Sequence, residues 1–350
     1  MSTTQAIVVQ KQGEAKITEV PIPKLRPDYL LVQVHSIALN PTDWKHIDFV
    51  AEPGCRIGCD YSGTVLEVGS QVTKPFKKGD GVFGFAHGGN VIYPEDGGHG
   101  NIITVKGDVQ IKKPEGLSFE GAATLGVGIF TVAQGLYQSL DLPTPAKPAK
   151  ESIPLLVYGG STATGALAIQ LAKLSGLTVV TTCSPHNNDY VKSLGADAVF
   201  DYSDKDCAEK IKEYTNGKLT HVFDCISEGS STEISVRAMS SAGGKYSALL
   251  AVDPEKIQGI NSKVKSETTL AYTIIGEACK LGPMELPAKP EDFEFAKTFS
   301  EEVRQLIADG KIKPHRVALE ETGKGLEGAL KGLQLMREGK YSGKKLVYNL

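Results

Sequence analysis

The sequence predicts an α/β protein that combines a doubly wound parallel sheet with a second domain rich in short β-strands. Three observations predict this class. An apolar run, a glycine-rich turn and a helical stretch follow each other between residues 155 and 174. Short apolar runs then alternate with helical stretches up to residue 250, as in a parallel sheet with crossover helices. The first 110 residues instead hold short β-like runs separated by Pro and Gly, which is typical of compact β-domains.

The apolar run Leu155–Tyr158 leads into the turn Gly159-Gly160-Ser161-Thr162-Ala163-Thr164-Gly165, and residues 166–174 then have a helical pattern. Small residues let the backbone approach a pyrophosphate, and a helix N-terminus offers N–H groups and the positive end of its dipole. The segment therefore predicts a dinucleotide-phosphate site. Thr162 stands where the second glycine of the G-x-G-x-x-G pattern would fall, so a tight turn that binds nothing remains the alternative.

The rest of the predicted sheet follows in step. β-branched and apolar residues dominate four further runs, as expected for strands buried on both faces. The predicted strands are Leu177–Cys183, Ala198–Phe200, Thr220–Ile226 and Gly243–Leu250, with helices at Asp204–Tyr214 and Ser231–Met239. Right-handed crossovers between such strands give a doubly wound parallel sheet.

The end of the second predicted strand indicates which nicotinamide dinucleotide the sheet would bind. An NAD site places an acidic residue there to hold the ribose 2′-hydroxyl. Here Ser184, His186 and Asn187 follow the strand, and no acid comes before Asp189. A carboxylate would repel a 2′-phosphate, whereas these side chains can donate hydrogen bonds to it, so the loop favours NADP(H). An ordinary polar loop is the alternative. Tyr202, after the next strand, is expected to lay its ring against the adenine or ribose.

Composition limits the other classes of function. The 350 residues are 41% hydrophobic with a formal net charge of −3, a length and balance that suit a two-domain globular protein. No basic face indicates nucleic acid, and no 18-residue apolar run indicates a membrane span. The N-terminal residues lack the pattern of a secretory signal, and the six cysteines form no C-x-x-C pair. We therefore expect free thiols and a cytoplasmic location.

The N-terminal third predicts a compact, barrel-like β-domain. Its expected strands are Ala6–Val9, Ile17–Val20, Tyr29–Ile37, Gly63–Val68 and Gly81–Phe85, with a hairpin corner at Lys77–Val82. Helical structure is expected from Ala122 to Leu140. The Pro/Lys/Ala-rich stretch Pro143–Lys150 is expected to be an exposed, extended connection.

Three segments carry a resemblance to a known superfamily. Val32–Asn40 followed by Pro41-Thr42-Asp43 is similar to its first-domain signature, Gly58–Val65 resembles its G-x-D-x-x-G-x-V element, and Glu338–Val347 resembles its terminal strand. With the glycine-rich turn, they resemble the zinc-independent, quinone-reductase-like branch of the medium-chain dehydrogenase/reductases. This resemblance implies a GroES-like, β-barrel-containing catalytic domain over residues 1–123 and 287–350, and a Rossmann-type NADP-binding domain over residues 124–286.

Other segments resemble a subgroup, the fungal trans-acting enoyl reductases that serve polyketide synthases, together with their toxin-cluster relatives. The segments are Asn40–Lys45, Tyr158–Gly165 and Thr182–Asn187. The glycine fingerprint is loosened in that subgroup too. The resemblance thus implies an NADPH-dependent enoyl reductase of secondary metabolism.

The sequence predicts no metal. Metal-dependent members of the superfamily place a Cys after the first-domain strand and a His-Glu pair near residue 60, where this chain has Pro41-Thr42-Asp43 and Cys59-Asp60-Tyr61. One Cys and one Asp do not make a three-ligand zinc site, and the four-cysteine lobe for structural zinc is absent. His87 and His99, in glycine-rich loops, are expected to be exposed or hydrogen-bonded rather than metal ligands.

Reduction of an activated C=C bond needs no metal Lewis acid. Hydride from the nicotinamide adds to the β-carbon, and a donor or cation stabilises the resulting enolate. Lys45 is expected near that oxygen or as the proton donor to the α-carbon, the alternative being a surface lysine at a helix start. Thr124 is the second expected catalytic residue, because with Gly126 it resembles the helix-start positions near the cofactor.

The resemblance and the glycine-rich turn together imply a set of cofactor contacts. These are Pro41, Thr42, Lys45, Gly159, Ser161, Thr162, Ala163, Thr164, Ser184, His186, Asn187, Tyr202, Leu249, Gly276 and Glu277. The expected substrate is an α,β-unsaturated acyl thioester, carried on the acyl carrier protein of a polyketide synthase.

Two other functions remain open from the sequence. One is a stand-alone NADPH reductase of quinones or 2-alkenals, and the other is a cofactor-binding subunit without turnover. A hydrolase is disfavoured because Gly159-Gly160-Ser161-Thr162-Ala163 lacks the final glycine of a G-x-S-x-G elbow. The polar segment Asp253–Thr268 disfavours strand-to-strand pairing and therefore favours a monomer.

Overall fold

The computed structural model describes residues 2–350. Its contacts divide the chain into two compact units. Unit 1 comprises Met1–Phe130 and Tyr272–Leu350, and unit 2 comprises Thr131–Ala271. These boundaries lie at 130/131 and 271/272, against the expected 123/124 and 286/287. Each unit has its own buried apolar cluster.

The N-terminal part of unit 1 is built from short strands and two short helices. They are β1 (Thr3–Lys11), β2 (Glu14–Pro21), β3 (Tyr29–Ala38), α1 (Pro41–Lys45), β4 (Asp60–Val68), β5 (Gly81–Phe85), β6 (Ile102–Lys106), β7 (Ile111–Lys112) and α2 (Phe119–Ala123). A π-helical turn, His46–Val50, follows α1 directly. All five strands expected in this region are present; β6 and β7 are additional.

The helical region expected from Ala122 to Leu140 is interrupted. α2 ends at Ala123, α3 runs from Gly126 to Ala133, and a π-helical turn then covers Gln134–Ser139. The stretch Pro143–Lys150 is not extended as expected: Thr144 and Lys147 form an isolated β-bridge, and Lys147 N–H donates to the Thr144 carbonyl at 3.0 Å. Pro145 thus lies within a tight turn, and Pro143 and Pro148 flank it.

Unit 2 alternates strands and helices. They are β8 (Pro154–Tyr158), α4 (Ala163–Leu174), β9 (Thr178–Thr182), α5 (Asn188–Ser193), β10 (Ala198–Phe200), α6 (Cys207–Tyr214), β11 (His221–Asp224), α7 (Ser231–Ala238), β12 (Gly244–Ala248), α8 (Pro254–Ile260) and β13 (Val264–Thr268). The strands form one six-stranded parallel sheet in the order β10-β9-β8-β11-β12-β13. The predicted doubly wound sheet is confirmed, with β13 at one edge.

The direction of winding reverses between β8 and β11, because β9 and β10 lie on one side of β8 and β11 to β13 on the other. Ligands of open parallel sheets bind at the carboxyl ends of the strands at such a reversal. Leu155, Leu156 and Val157 of β8 are fully buried. The glycine-rich turn therefore follows directly on a buried strand, β8, that lies at the reversal of the sheet.

The C-terminal part of the chain completes unit 1. It contains the hairpin β14 (Cys279–Leu281) and β15 (Met284–Leu286), then α9 (Pro290–Ala308), β16 (Val317–Leu319), α10 (Gly325–Arg337) and β17 (Lys345–Asn349). β17 pairs with β3 in a seven-stranded sheet ordered β16-β17-β3-β4-β5-β7, with β6 also paired to β3. The last strand thus returns to the first domain, as the terminal motif predicts.

Across residues 2–350, no helix combines the length and the apolar character needed to cross a membrane. All six cysteines are buried free thiols.

Candidate active site

The turn between β8 and α4 in unit 2 is shaped by close packing. Gly159 has φ +81°, a backbone conformation that residues with a side chain rarely adopt. A Cβ on Gly165 would lie 2.2 Å from the Gly159 carbonyl oxygen. A Cβ on Gly160 would lie 2.1 Å from Thr181 Oγ1. The glycines are therefore needed for the contact between α4 and the strands.

Thr162, which replaces the second fingerprint glycine, caps α4. Its hydroxyl accepts a hydrogen bond from Gly165 N–H at 2.9 Å and donates to the Gly159 carbonyl at 2.8 Å. Ala163 and Thr164 lie in the first helical turn, where N–H groups have no acceptor within the helix. Residues 161–164 are half-exposed. The turn can therefore offer N–H groups and a helix N-terminus to a phosphate, which fits a dinucleotide.

The loop after β9 offers an exposed polar surface without a carboxylate at the strand end. Ser184 Oγ lies 2.9 Å from the hydroxyl of Tyr202, whose residue is 42% exposed, and His186 is exposed too. Asn187 differs from the expectation of a direct phosphate donor: its side chain is buried, and its Nδ2 lies 3.1 Å from His186 Nε2. Asn187 thus contacts the histidine ring instead of facing solvent.

A buried network supports the carboxyl ends of β11 and β12. Asp224 accepts hydrogen bonds from the N–H groups of Ile226 at 2.9 Å and Ser227 at 2.8 Å, and from the Tyr246 hydroxyl at 2.5 Å. Ser227 Oγ in turn accepts from Leu249 N–H at 3.0 Å. Leu249, an expected cofactor contact, is therefore fixed through its backbone at the end of the sheet that carries the glycine-rich turn.

A fully buried ion pair lies at the centre of unit 1. Lys345 Nζ is 2.6 Å from Asp60 Oδ2 and 2.6 Å from Asn40 Oδ1, and the Asn40 amide donates to the same carboxylate at 2.9 Å. The other carboxylate oxygen accepts from Val127 N–H at 2.6 Å. Asp60 thus joins the signature segment, the last strand and the start of α3.

Lys45 is the last residue of α1 and lies just after the signature segment, which ends at Asp43. Asn40 N–H donates to Asp43 Oδ2 at 2.7 Å, and Asp43 Oδ1 accepts from Cys59 N–H at 3.0 Å. Burial raises the pKa of the Asp43 carboxyl. Lys45 itself is half-buried, with Nζ 5.6 Å from the centre of the Trp44 ring. The helix is therefore anchored on its buried side.

The side chains around this network do not fit a catalytic zinc ion. The Asp60 carboxylate already binds an ammonium group, and Asp43 binds two backbone N–H groups. Within residues 2–350, no three His, Cys, Asp or Glu side chains are grouped so that they could hold a metal. A zinc ligand set needs three such donors turned towards one point.

A buried aromatic and imidazole cluster adjoins α1. Thr42 Oγ1 lies 2.6 Å from the Tyr272 hydroxyl and 3.2 Å from His46 Nδ1. Burial lowers the pKa of His46 to about 4 and raises that of Tyr272 well above its usual value. The hydroxyl of Thr42, which is expected to contact the cofactor, is thus hydrogen-bonded to two side chains of the protein.

The expectation that His87 and His99 are exposed or hydrogen-bonded was wrong. Both are buried, 4% and 0% exposed, and no ring nitrogen of either has a hydrogen-bond partner among the described residues. The nearest carboxylate oxygen to His99, Oδ2 of Asp43, is 3.8 Å away. Gly-rich loops here pack tightly against the core: a Cβ on Gly58 would lie 2.2 Å from the His99 ring.

Two further expected residues of unit 1, Thr124 and Glu277, hold structural hydrogen bonds. Thr124 is buried, and its hydroxyl donates to the Gly121 carbonyl at 2.7 Å and accepts from His315 N–H at 3.1 Å, so its proton is committed to the backbone. Glu277 accepts from the Tyr29 hydroxyl at 3.0 Å and pairs with Lys106 at 2.8 Å. Gly276, with φ +68°, makes the turn before it.

Sequence reasoning missed the roles of Lys345, Tyr272 and His46. Asp60 stands in a motif and could have been flagged as a buried carboxylate in need of a cation. Its partner lies 285 residues away, and Tyr272 lies 230 residues from Thr42. No local pattern carries that information.

Two domain families match this chain. Residues 26–116 match the alcohol dehydrogenase GroES-like domain, and residues 163–277 match the zinc-binding dehydrogenase family. Together with the two units and the sheet order, these matches define a nicotinamide-dependent oxidoreductase. The chain belongs to the medium-chain dehydrogenase/reductase family.

Fungal enzymes are among its relatives. The chain is 56% identical over 278 residues to the trans-enoyl reductase TOXD of Cochliobolus carbonum, covering 79% of this chain and 92% of that protein. It is 48% identical over 351 residues to the trans-enoyl reductase ACTTS2 of Alternaria alternata, covering both completely. The crystal structure of the CurK enoyl reductase has the same fold, with a TM-score of 0.77 over 99% of each chain at 19% identity.

Proposed function

We propose that this protein reduces the C=C bond of an α,β-unsaturated acyl thioester with NADPH, and that it acts in trans on chains held by the acyl carrier protein of a fungal polyketide synthase. The half-exposed N-terminal turn of α4 at the reversal point of the sheet carries the cofactor part of the proposal. The similarity to trans-enoyl reductases over the full chain supports the reaction and the kind of partner.

The cofactor would be held mainly by unit 2. The first-turn N–H groups of α4 would bind the pyrophosphate, and the Leu249 region would support the nicotinamide end. When bound, the nicotinamide supplies a hydride to the substrate. Glu277 and Thr124 have structural hydrogen bonds, so we assign them no proton transfer.

Lys45 is proposed as the cation of the reaction. An ammonium group can stabilise the enolate oxygen or deliver a proton to the α-carbon. Either role requires it near the acyl group, and its position at the end of the anchored α1 holds its backbone in one place.

The preference for NADPH rests on the loop after β9. Ser184, His186 and Tyr202 present hydroxyl and imidazole groups, with no carboxylate at the strand end. We expect NADPH to bind at least tenfold more tightly than NADH, about 1.4 kcal/mol, in a fluorescence titration. Ser184→Asp should remove most of this preference by repelling the 2′-phosphate, while Ser193→Asp on exposed α5 should leave it unchanged. Equal affinities in the unmodified protein would contradict the NADPH assignment.

Substrate class is tested by turnover. We expect NADPH consumption with α,β-unsaturated pantetheine thioesters, and faster consumption with the same acyl groups on a carrier protein. Fast turnover of quinones or 2-alkenals without thioester activity would favour the stand-alone reductase. Binding of NADPH without turnover of either class would favour a non-catalytic subunit.

A further inference from the structure

His87 is a buried histidine whose ring nitrogens have no hydrogen-bond partner among residues 2–350. It lies two residues beyond the end of β5 and is 4% exposed. Neither Nδ1 nor Nε2 contacts a hydrogen-bonding atom of the described residues. An unpaired polar group in the interior is destabilising and rare, so such groups call for an explanation.

Aromatic rings surround this imidazole. The Phe85 ring stacks at a centroid distance of 6.2 Å, and the Tyr272 ring lies at 4.9 Å. Burial, together with the nearby His46 and Arg26, lowers the pKa of His87 to about 3. The ring is therefore neutral near pH 7 and carries one N–H donor and one acceptor nitrogen.

The backbone on both sides of His87 is held tightly. Ala86 N–H donates to the Cys59 carbonyl at 2.9 Å, and Gly89 N–H donates to the Arg56 carbonyl at 2.7 Å. A Cβ on Gly88 would lie 2.3 Å from the backbone nitrogen of Gly58. The backbone of this loop therefore has little room to move, and the His87 ring has no hydrogen bond to the described residues that it must break to meet a ligand.

The hydroxyl groups beside the ring are already engaged. The Tyr272 hydroxyl lies 2.6 Å from Thr42 Oγ1, and the Thr42 hydroxyl also lies 3.2 Å from His46 Nδ1. A neutral donor on a backbone held in place, with no hydrogen-bond partner among the described residues, suits a ligand oxygen that gains negative charge during a reaction. A neutral imidazole in this role polarises a carbonyl without giving up its proton.

We propose that His87 is a substrate-binding residue whose N–H donates a hydrogen bond to the carbonyl oxygen of the acyl thioester. This inference rests on the function proposed above and names a residue that holds its substrate. Hydride addition to the β-carbon moves the C=C electron pair towards the carbonyl, whose oxygen becomes an enolate oxygen. His87 keeps its proton and its hydrogen bond strengthens. A proton from Lys45 or from solvent then adds to the α-carbon and restores the carbonyl, so the substrate has gained one hydride and one proton in all.

The first test is the variant His87→Phe, which keeps a ring of similar shape and removes both nitrogens. We expect kcat with an enoyl pantetheine thioester to fall about 100-fold, as for the loss of one oxyanion donor, with the dissociation constant of NADPH changed less than twofold. His87→Gln, which retains an amide donor, should recover at least tenfold of this loss. His221→Phe, at the amino end of β11 in unit 2, is the matched control and should keep normal turnover. A His87→Phe enzyme within threefold of normal kcat would overturn the proposal.

A second test measures binding to the unmodified protein and does not depend on turnover. With ¹⁵N-labelled histidine, the His87 ring nitrogens, assigned by their absence from the His87→Phe spectrum, should shift when a saturated acyl pantetheine thioester is added. Unshifted resonances at saturating thioester would indicate a purely internal partner such as a buried water, and would overturn the proposal. If thioester binding shifts His87 but no thioester is reduced, the function proposed above fails and the binding assignment of His87 stands.

Discussion

At the scale of single residues, Lys45 is the side chain on which the proposed chemistry depends most. It ends α1 and lies half-buried beside Trp44. Replacing Lys45 by Ala should lower kcat with an enoyl thioester at least 100-fold, because the enolate loses its cation or its proton source. Steady-state NADPH oxidation measures this. Lys78→Ala, on an exposed turn before β5, is the control and should have normal kcat. Full turnover of the Lys45→Ala enzyme would remove this residue from the mechanism.

His46 makes stability depend on pH. Burial lowers its pKa to about 4 in the folded protein, against about 6.5 in an unfolded chain. Between these values the unfolded chain binds a proton that the folded protein does not, so the free energy of unfolding falls as pH falls. From pH 7 to pH 5 this histidine should account for a loss of about 2 kcal/mol.

The variant His46→Gln isolates this contribution. Its free energy of unfolding should lose about 2 kcal/mol less than that of the unmodified protein over the same pH range. Urea unfolding followed by the fluorescence of Trp44, the single tryptophan and part of unit 1, provides the measurement. An unchanged pH dependence in the variant would show that His46 is not buried in its neutral form.

At the scale of elements, the Asp60–Lys345 pair joins β4, β17 and the signature segment. Both side chains are almost fully buried. Lys345→Met should destabilise unit 1 by about 3–5 kcal/mol, because it leaves a buried carboxylate without its cation. Adding Asp60→Asn should restore part of that loss, since the amide can still accept from Val127 N–H. Trp44 fluorescence during urea unfolding measures both changes.

The neighbouring lysine is a matched control for this pair. Lys344 contacts Glu321 at 3.2 Å with both side chains about half-exposed. Exposed ion pairs contribute about 0–1 kcal/mol, so Lys344→Met should leave the unfolding curve close to that of the unmodified protein. Equal losses for Lys344→Met and Lys345→Met would contradict a special role for the buried pair.

The elements also show how far sequence reasoning reached. The β8–turn–α4 segment was predictable, because the residue types of Leu155–Gly165 themselves indicate a strand buried on both faces and a turn that needs small residues. The break between α2 and α3 was not predictable from local sequence. At Gly126, where α3 begins, an added Cβ would lie 2.3 Å from the Gly84 carbonyl oxygen and 2.5 Å from Asp60 Oδ1. Such contacts are set by packing between segments distant in the chain.

The candidate site also has features that local sequence predicts and features that it does not. The phosphate-binding turn and the polar Ser184 loop follow from local patterns, whereas the exposure of side chains in the loops does not. Asn187 and His87 illustrate this: both lie in polar or glycine-rich loops, and both are buried. A glycine-rich loop can pack against the core because its backbone approaches closely, so residue type alone predicts its exposure poorly.

At the scale of the whole molecule, the proposed function requires hydride transfer to the β-carbon of an acyl thioester. The most direct measurement is product analysis by mass spectrometry after reaction of an enoyl pantetheine thioester with NADPH carrying deuterium at the transferable C4 position. We predict a saturated thioester with one deuterium at the β-carbon, and a second at the α-carbon when the solvent is D₂O. An unreduced thioester alongside reduction of quinones, or a product without deuterium at the β-carbon, would contradict the account.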